Sequence, residues 1–232
     1  VSTDVRVISI GALAAHPLRG ERTPVRTGHA TTTLVQLGAM RLLVDPSLPT
    51  PALVARLEER SGLKPSDITH VFVTSFNPEL RRALLAFEGA TWWINENERE
   101  TIGRALIARL HEAAEEGDAP VKDALEQDVA ILKRFQPCPD TLVSHKGQRV
   151  DLFPLPGVTP GLSGILVPDR RHTTLICGDA IPTVEHLQEG QVLQGAADVD
   201  QARASFADAI EIADLLVLGR DNVTPNVTKR PF

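Results

Sequence analysis

The side chains able to hold a metal ion or move a proton are seven histidines, two cysteines and thirty carboxylates, spread over 232 residues. Two imidazoles reach one metal locally when they sit a strand step or a helix turn apart. None of His16, His29, His70, His111, His145, His172 and His186 lies two or four residues from another, so no local histidine pair exists. Cys138 and Cys177 are far apart and have no histidine at zinc-site spacing, so both are expected to stay reduced, Cys177 as a small buried strand residue. Ser75 and Thr159 are nucleophiles by position only, because neither sits in a Gly-x-Ser-x-Gly elbow. What remains is short mixed-charge runs at the ends of apolar segments: Asn77-Pro78-Glu79-Leu80-Arg81-Arg82, Gly178-Asp179, and Arg220-Asp221. Carboxylate beside guanidinium can make a structural ion pair, an anion site, or, with Asn77, an oxygen cage for a hard cation.

These runs must be positioned by strands. Val71-Phe72-Val73 is an apolar run that stops at a polar turn, and the ends of buried strands project loop residues into the crevice where ligands collect. Val5 to Ile10 alternates as a half-buried strand, and the Gly/Pro/Arg loop that follows to about Thr27 could line a pocket. Thr31 to Leu37 and Met40 to Asp45 read as a hairpin turning at Gly38-Ala39. Thr50-Pro51 opens a helix, with the threonine hydroxyl as its expected cap and Gly62 as its stop. Helical spacing is read over Glu79 to Phe87, and Ala90 to Ile94 is a strand whose Trp92 and Trp93 must point to opposite faces. From Glu96 to Phe135 the apolar spacing predicts two helices broken at Gly117 to Pro120, a hairpin inserted between the two sheet halves. Strands follow at Thr141 to Ser144, Val150 to Phe153, Leu162 to Val167 and Thr173 to Cys177. A helix over Ala197 to Ala213 and a strand over Leu215 to Leu218 close the pattern.

Four pieces in this order, Leu42-Leu43-Val44-Asp45-Pro46, the Val71 to Arg82 run, Pro156-Gly157-Val158-Thr159-Pro160-Gly161-Leu162 and Cys177-Gly178-Asp179-Ala180, resemble the metallo-β-lactamase fold. The resemblance covers nearly the whole chain and implies one α/β domain over residues 1–232, an αββα four-layer sandwich with the helical insertion at about 96–135. It also implies a metallo-hydrolase site, and there the chain departs from the pattern. Where the family has Thr-His-x-His-x-Asp-His, Ser75 and Asn77 replace two histidines, Glu79 the aspartate and Leu80 the third histidine. Val158 replaces the histidine of Pro-Gly-His-Thr-Pro-Gly. Asp179 keeps the position of the metal-bridging carboxylate, and Arg220 falls where the last histidine would stand.

Valine and leucine cannot ligate zinc, so zinc is expected to be absent. A magnesium- or manganese-type cation on Asn77, Glu79 and Asp179 is disfavoured by the neighbouring arginines. The expected arrangement is Arg220 paired with Asp179 or Glu79, its guanidinium standing in for the metal charge. The functional alternative is a pocket for a small anionic ligand formed by Arg220, Arg81, Arg82, Thr159, His186 and Asp221, against the plainer reading of His186 as a satisfied surface histidine. Together these imply a non-catalytic relative that binds a ligand or partner through the vestigial crevice. The other readings are a hydrolase with a rebuilt oxygen-rich or metal-free site, and a self-associating structural protein.

Composition supports a large core: 42% of residues are hydrophobic and 23% charged. The net charge of -6, with basic residues scattered among acidic ones, argues against nucleic acid as a partner. No apolar run approaches the ~20 residues of a membrane span, and no signal-peptide pattern is visible, which favours the cytoplasm; Val1 in first place implies a trimmed start. The helical hairpin is a natural surface for a homodimer.

Overall fold

The computed structural model describes residues 3–228. The first half runs β1 (Asp4–Ser9), β2 (Thr32–Leu37), β3 (Met40–Val44), α1 (Thr50–Ser61), β4 (His70–Phe72), β5 (Thr91–Ile94), α2 (Glu96–Glu116), α3 (Ala119–Arg134) and β6 (Gln136–Pro137). The second runs β7 (Thr141–His145), β8 (Gln148–Pro154), β9 (Ser163–Pro168), β10 (Thr173–Gly178), α4 (Val184–Glu189), α5 (Val199–Ile212), β11 (Leu215–Leu218) and β12 (Val223–Pro225). Strands β1 to β6 form one sheet in sequence order, and β7 to β12 form the other. In the first sheet β3, β4, β5 and β6 pair in parallel, and in the second β10 and β11 do.

The strands read as near-continuous apolar runs because both faces of each sheet are covered, so successive side chains enter different cores. Leu42, Val44, Phe72, Trp93, Ile165, Ile176 and Val217 fill the space between the sheets. Their neighbours Leu43, Val71, Val73, Trp92 and Ile94 pack outward under α1 and the helical hairpin, while Leu175, Cys177, Leu216 and Leu218 pack under α4 and α5. The result is the αββα order of layers expected from the sequence. The two tryptophans divide as their alternation requires: Trp93 stacks on His70 between the sheets, and Trp92 lies against Phe135, with the Arg134 guanidinium over its ring.

Three local expectations are corrected. Thr50 is not the cap of α1: Pro49 holds that position, no side chain caps the helix, and Pro51 in the first turn supplies the preset φ. Glu79 to Phe87 is not a continuous helix but two short 3₁₀ turns, Pro78–Leu80 and Leu84–Phe87. The helical bond from Ala83 N to Glu79 O is replaced by two tertiary ones, since Ala83 N donates to Pro46 O and Ser47 Oγ donates to Glu79 O. Finally, the hairpin of α2 and α3 forms as predicted but lies between β5 and β6, within the first sheet rather than between the two halves, and covers that sheet's outer face through Leu106, Ala113, Leu125 and Leu132.

The two sheets approach each other closely at one end, where Gly178 faces Thr74 across the gap and Gly219 packs on the Gly178 backbone at the end of the neighbouring strand. Gly178 has φ +54, and a Cβ there would stand 2.8 Å from the Thr74 side chain; a Cβ on Gly219 would stand 2.3 Å from the Gly178 carbonyl oxygen. The carbonyl is fixed backbone and Thr74 can shift slightly. Gly219→Ala is therefore expected to lower stability more than Gly178→Ala, which should lose about 1–3 kcal/mol for the left-handed backbone alone, as read from urea unfolding midpoints.

Candidate functional site

The carboxyl ends of β3, β4, β10 and β11 converge at that close approach, which is where loop residues of parallel strands collect. From β3 comes Asp45, from the turn after β4 come Thr74, Ser75 and Glu79, from β10 comes Asp179, and from β11 comes Arg220. Arg220 and Asp179 are 5% and 3% exposed. The guanidinium donates from Nε to Asp179 Oδ1 at 2.7 Å and from Nη2 to Asp179 Oδ2 at 2.8 Å, a two-pronged pair, and from Nη1 to Glu79 Oε2. Burial opposes the charge on Arg220, but Asp179 and Glu79 together hold its pKa above the ordinary arginine value.

Beside this triad Asp45 is almost fully buried, accepting from Thr74 N and Thr74 Oγ1, both at 2.8 Å. Desolvation pushes its pKa up to about 7 against the pull of the Thr74 donors, and the nearby Asp179 charge pushes the same way. A fourth carboxylate, Glu98 in the first turn of α2, is wholly buried and accepts from Phe76 N, Thr159 Oγ1 and Gly161 N, fastening the turn after β4 to the loop before β9.

The structure gathers some of the residues singled out in the sequence and disperses others. Glu79, Asp179 and Arg220 meet. Ser75 and Leu80 are buried near them, and Val158 is half-buried with its side chain packed on the cluster under α4 and α5. Asn77 is exposed, and its side chain accepts from Glu79 N instead of facing the carboxylates. Thr159 is committed to Glu98. Arg81 turns to the hairpin, pairing with Asp128 at 2.7 Å with its guanidinium 4.1 Å from the Phe76 ring centre. Arg82 is exposed with no ion pair among the described residues. His186 is not a lone surface residue: it is 2% exposed, and its Nδ1 lies 2.9 Å from Thr183 Oγ1.

His186 belongs to a buried string that the sequence did not reveal. Thr183 Oγ1 lies between His186 Nδ1 and His16 Nε2, and the latter is also 3.2 Å from Glu185 Oε2. Burial would raise the Glu185 carboxyl, but the Arg19 guanidinium, a backbone amide and the Thr183 hydroxyl together outweigh it and bring it down to about 2. Burial, reinforced by His16, pushes His186 down to about 4. His16 comes from the aperiodic loop after β1, whose ends lie far from Thr183 in sequence, so no local spacing could announce the pairing. Only Thr183 carried a signal, as a capping hydroxyl three residues before His186 at the start of α4.

The same loop does line a pocket. Gly11, Ala12, Leu13, His16, Arg19 and Arg26 face Thr183, Arg220 and Asp221 around a cavity of about 170 Å³. Arg26 is neutralised by Glu21 and Arg19 by Glu185. Two of the five N–H donors of Arg220 have no acceptor among the described residues. Asp221 carries turn bonds, accepting from Asn222 N and Val184 N. The imidazole Nδ1 of His16 is buried without a partner.

The donor set does not suit the dinuclear metal centre that the strand-end geometry would otherwise suggest. Both oxygens of Asp179 are occupied by Arg220, and a fixed guanidinium stands at the point where a cation would bind. Among the described residues no three His, Cys, Asp or Glu side chains are arranged to hold a metal ion. Both cysteines are free and buried; burial, with Asp140 nearby, pushes the Cys138 thiol up to about 12, and Cys177 is also raised by burial.

No family model and no curated protein matches the chain. Among solved structures, a Thermotoga maritima protein assigned as a metallo-beta-lactamase superposes with TM-score 0.65 at 18% identity, covering 97% of this chain and 100% of its own. A Staphylococcus aureus protein assigned as a metal-dependent hydrolase superposes with TM-score 0.65 at 14% identity, with 95% and 90% covered. AidC, a dizinc quorum-quenching lactonase, gives 0.59 at 19% identity over 78% and 67%. The chain has the metallo-β-lactamase fold.

Two predictions follow from the buried charges. Arg220→Leu strands Asp179 and is expected to cost about 3–5 kcal/mol in chemical unfolding, whereas Arg220→Leu with Asp179→Leu should cost far less because no unpaired charge is left. Glu79, whose side chain is 34% exposed, adds little to that figure because solvent screens it. Asp45 has a raised folded pKa, so its contribution to stability is full below pH ~4 and is lost as pH rises to about 7. His186 is depressed, so its contribution is full above pH ~6.5 and is lost as pH falls towards 4. The two slopes oppose each other between pH ~4 and ~6.5. Unfolding midpoints of Asp45→Asn should therefore rise with pH across that window relative to the parent, and those of His186→Gln should fall.

Proposed function

We propose that this chain is a non-hydrolytic member of the metallo-β-lactamase fold, in which the metal centre is exchanged for an ion triad and the remaining pocket binds a small ligand carrying a carboxylate or similar acceptor. One observation carries the reading: the Arg220 guanidinium closes on both oxygens of Asp179 and on Glu79. Hydrolysis in a dizinc enzyme such as the lactonase AidC needs water acidified by a metal, and a guanidinium that never gives up its proton cannot supply that. What Arg220 can do is offer one remaining N–H on each of Nη1 and Nη2 beside the cavity of about 170 Å³ that it lines. With Arg19 and Arg26 paired and Arg220 shared by two carboxylates, the pocket carries no surplus positive charge, which disfavours a polyanion and leaves hydrogen bonding to select a small acceptor.

Elemental analysis after zinc-supplemented expression should find no stoichiometric zinc, and the protein should not open lactones or cleave β-lactams. Stoichiometric zinc would overturn the reading. Calorimetric titration with acetate, glycolate and N-acetylglycine is expected to detect saturable binding in the millimolar range or tighter. Ala12→Leu narrows the pocket without touching the triad and should abolish that binding while leaving the melting temperature unchanged. Binding that survives the substitution would place the ligand elsewhere.

A further inference from the structure

A second concavity lies on the helical hairpin, on the far side of the first sheet from the interior between the sheets, and nothing in the ion triad depends on it. Between α2 and α3 an apolar floor of Gly103, Ile107, Val129 and Leu132 is bordered by Arg99, Arg104 and Lys133, with Glu100 the one acid, around a volume of about 340 Å³. That volume falls at the lower end of the ~300–1,000 Å³ typical of small-molecule sites.

Three features of the groove are not explained by packing. Gly103 stands in the middle of a 21-residue helix, where glycine costs about 1 kcal/mol of helix stability relative to alanine. A Cβ there would meet nothing closer than Leu132 Cδ2 at 3.5 Å, an ordinary contact, so helix packing does not require the glycine, and its missing side chain opens the groove floor. Ile107 is 49% exposed at the same place. Among the described residues Arg104 and Lys133 have no ion-pair partner, and the half-buried Arg99 has an Nε that is buried with no acceptor.

An apolar trough edged by unspent cations matches an amphiphile with a linear tail and one anionic head. We infer that this groove binds a medium-chain fatty acid as a free monomer, its tail along Gly103, Ile107, Val129 and Leu132 and its carboxylate among Arg99, Arg104 and Lys133. A guanidinium fork is the matching partner for a carboxylate, and removing the tail from water is the main driving force. Both helices are anchored by their other faces through Leu106, Ala113 and Leu125, so the groove is preformed and an occupant need not order it.

The test titrates the full chain with hexanoate, octanoate and decanoate below their micellar concentrations, with decanol, and with phosphatidylglycerol vesicles, following heat and sedimentation. Decanoate should bind saturably, each methylene tightening the interaction by up to about four-fold. Arg104→Glu with Lys133→Glu should weaken decanoate at least ten-fold and leave decanol unchanged. Gly103→Leu fills the notch and raises helix propensity, so it should abolish binding of both without lowering the melting temperature. The inference is overturned if decanoate does not saturate by about 1 mM, a threshold equal to ~4 kcal/mol of binding. Unchanged binding in Gly103→Leu, a preference for vesicles over free decanoate, or a ligand-free dimer mass that Gly103→Leu abolishes would overturn it equally. None of these outcomes bears on the Arg220 pocket, whose own titration uses ligands without a tail.

Discussion

Among the described residues the guanidinium of Arg220 is the positive group bonded to the carboxylates at the close approach of the two sheets, and the local structure is arranged around it. Asp179 and Arg220 leave adjacent parallel strands of the second sheet, while Glu79 belongs to the turn after β4 of the first, so a single side chain ties the ends of both sheets together. One cation bonded to two carboxylates exerts only a minor pull on a third. Asp45 accordingly sits in a place where desolvation, reinforced by Asp179, favours its neutral form, and it is held by the amide and hydroxyl of Thr74. The charge balance is thus local: Arg220 answers Asp179 and Glu79, and hydrogen bonding answers Asp45.

The same rule explains the other buried acid. Glu98 meets no guanidinium; instead it accepts two backbone amides and a hydroxyl, the bonding that lets a carboxylate remain in a desolvated place. It joins the first turn of α2 to both loops that carry fold-defining segments, so the helical hairpin is fastened at its root by a polar clasp and along its length by apolar packing. That division suits a hairpin whose outer face keeps a groove open.

How far the sequence disclosed this depends on whether a residue's role was set by neighbours in the chain or in space. Strand alternation placed Trp92 and Trp93 on opposite faces, because periodicity is a local consequence of burial, whereas the four layers were implied by the resemblance of the four motif segments to a known fold. Arg220 could be matched to Asp179 because both stand at strand ends of a resembling fold. Glu79 to Phe87 misled: its helical spacing is genuine, but the Ala83 amide and Glu79 carbonyl that would close the helix are taken by Pro46 and Ser47. Arg81 and Thr159 were assigned to the crevice from position alone, whereas Asp128 and Glu98, their partners, lie in the hairpin. The string from Glu185 through His16 and Thr183 to His186 was illegible, since it joins an aperiodic loop to a helix start some 170 residues away.

A metal centre at strand ends does two separable things: it neutralises and cross-links carboxylates that would otherwise repel, and it acidifies a bound water. Arginine can take over the first because it carries a permanent charge in a planar fork, and in this chain it does so with three charge-assisted bonds. It cannot take over the second, since its own pKa, raised further by Asp179 and Glu79, keeps the guanidinium protonated near neutrality. A fold that needs positive charge at this point can therefore keep its architecture with a guanidinium standing where a metal ion could. Asp179 persists as half of a buried ion pair, whereas Ser75, Asn77, Leu80 and Val158, which touch no charge there, are free to serve packing and turn geometry.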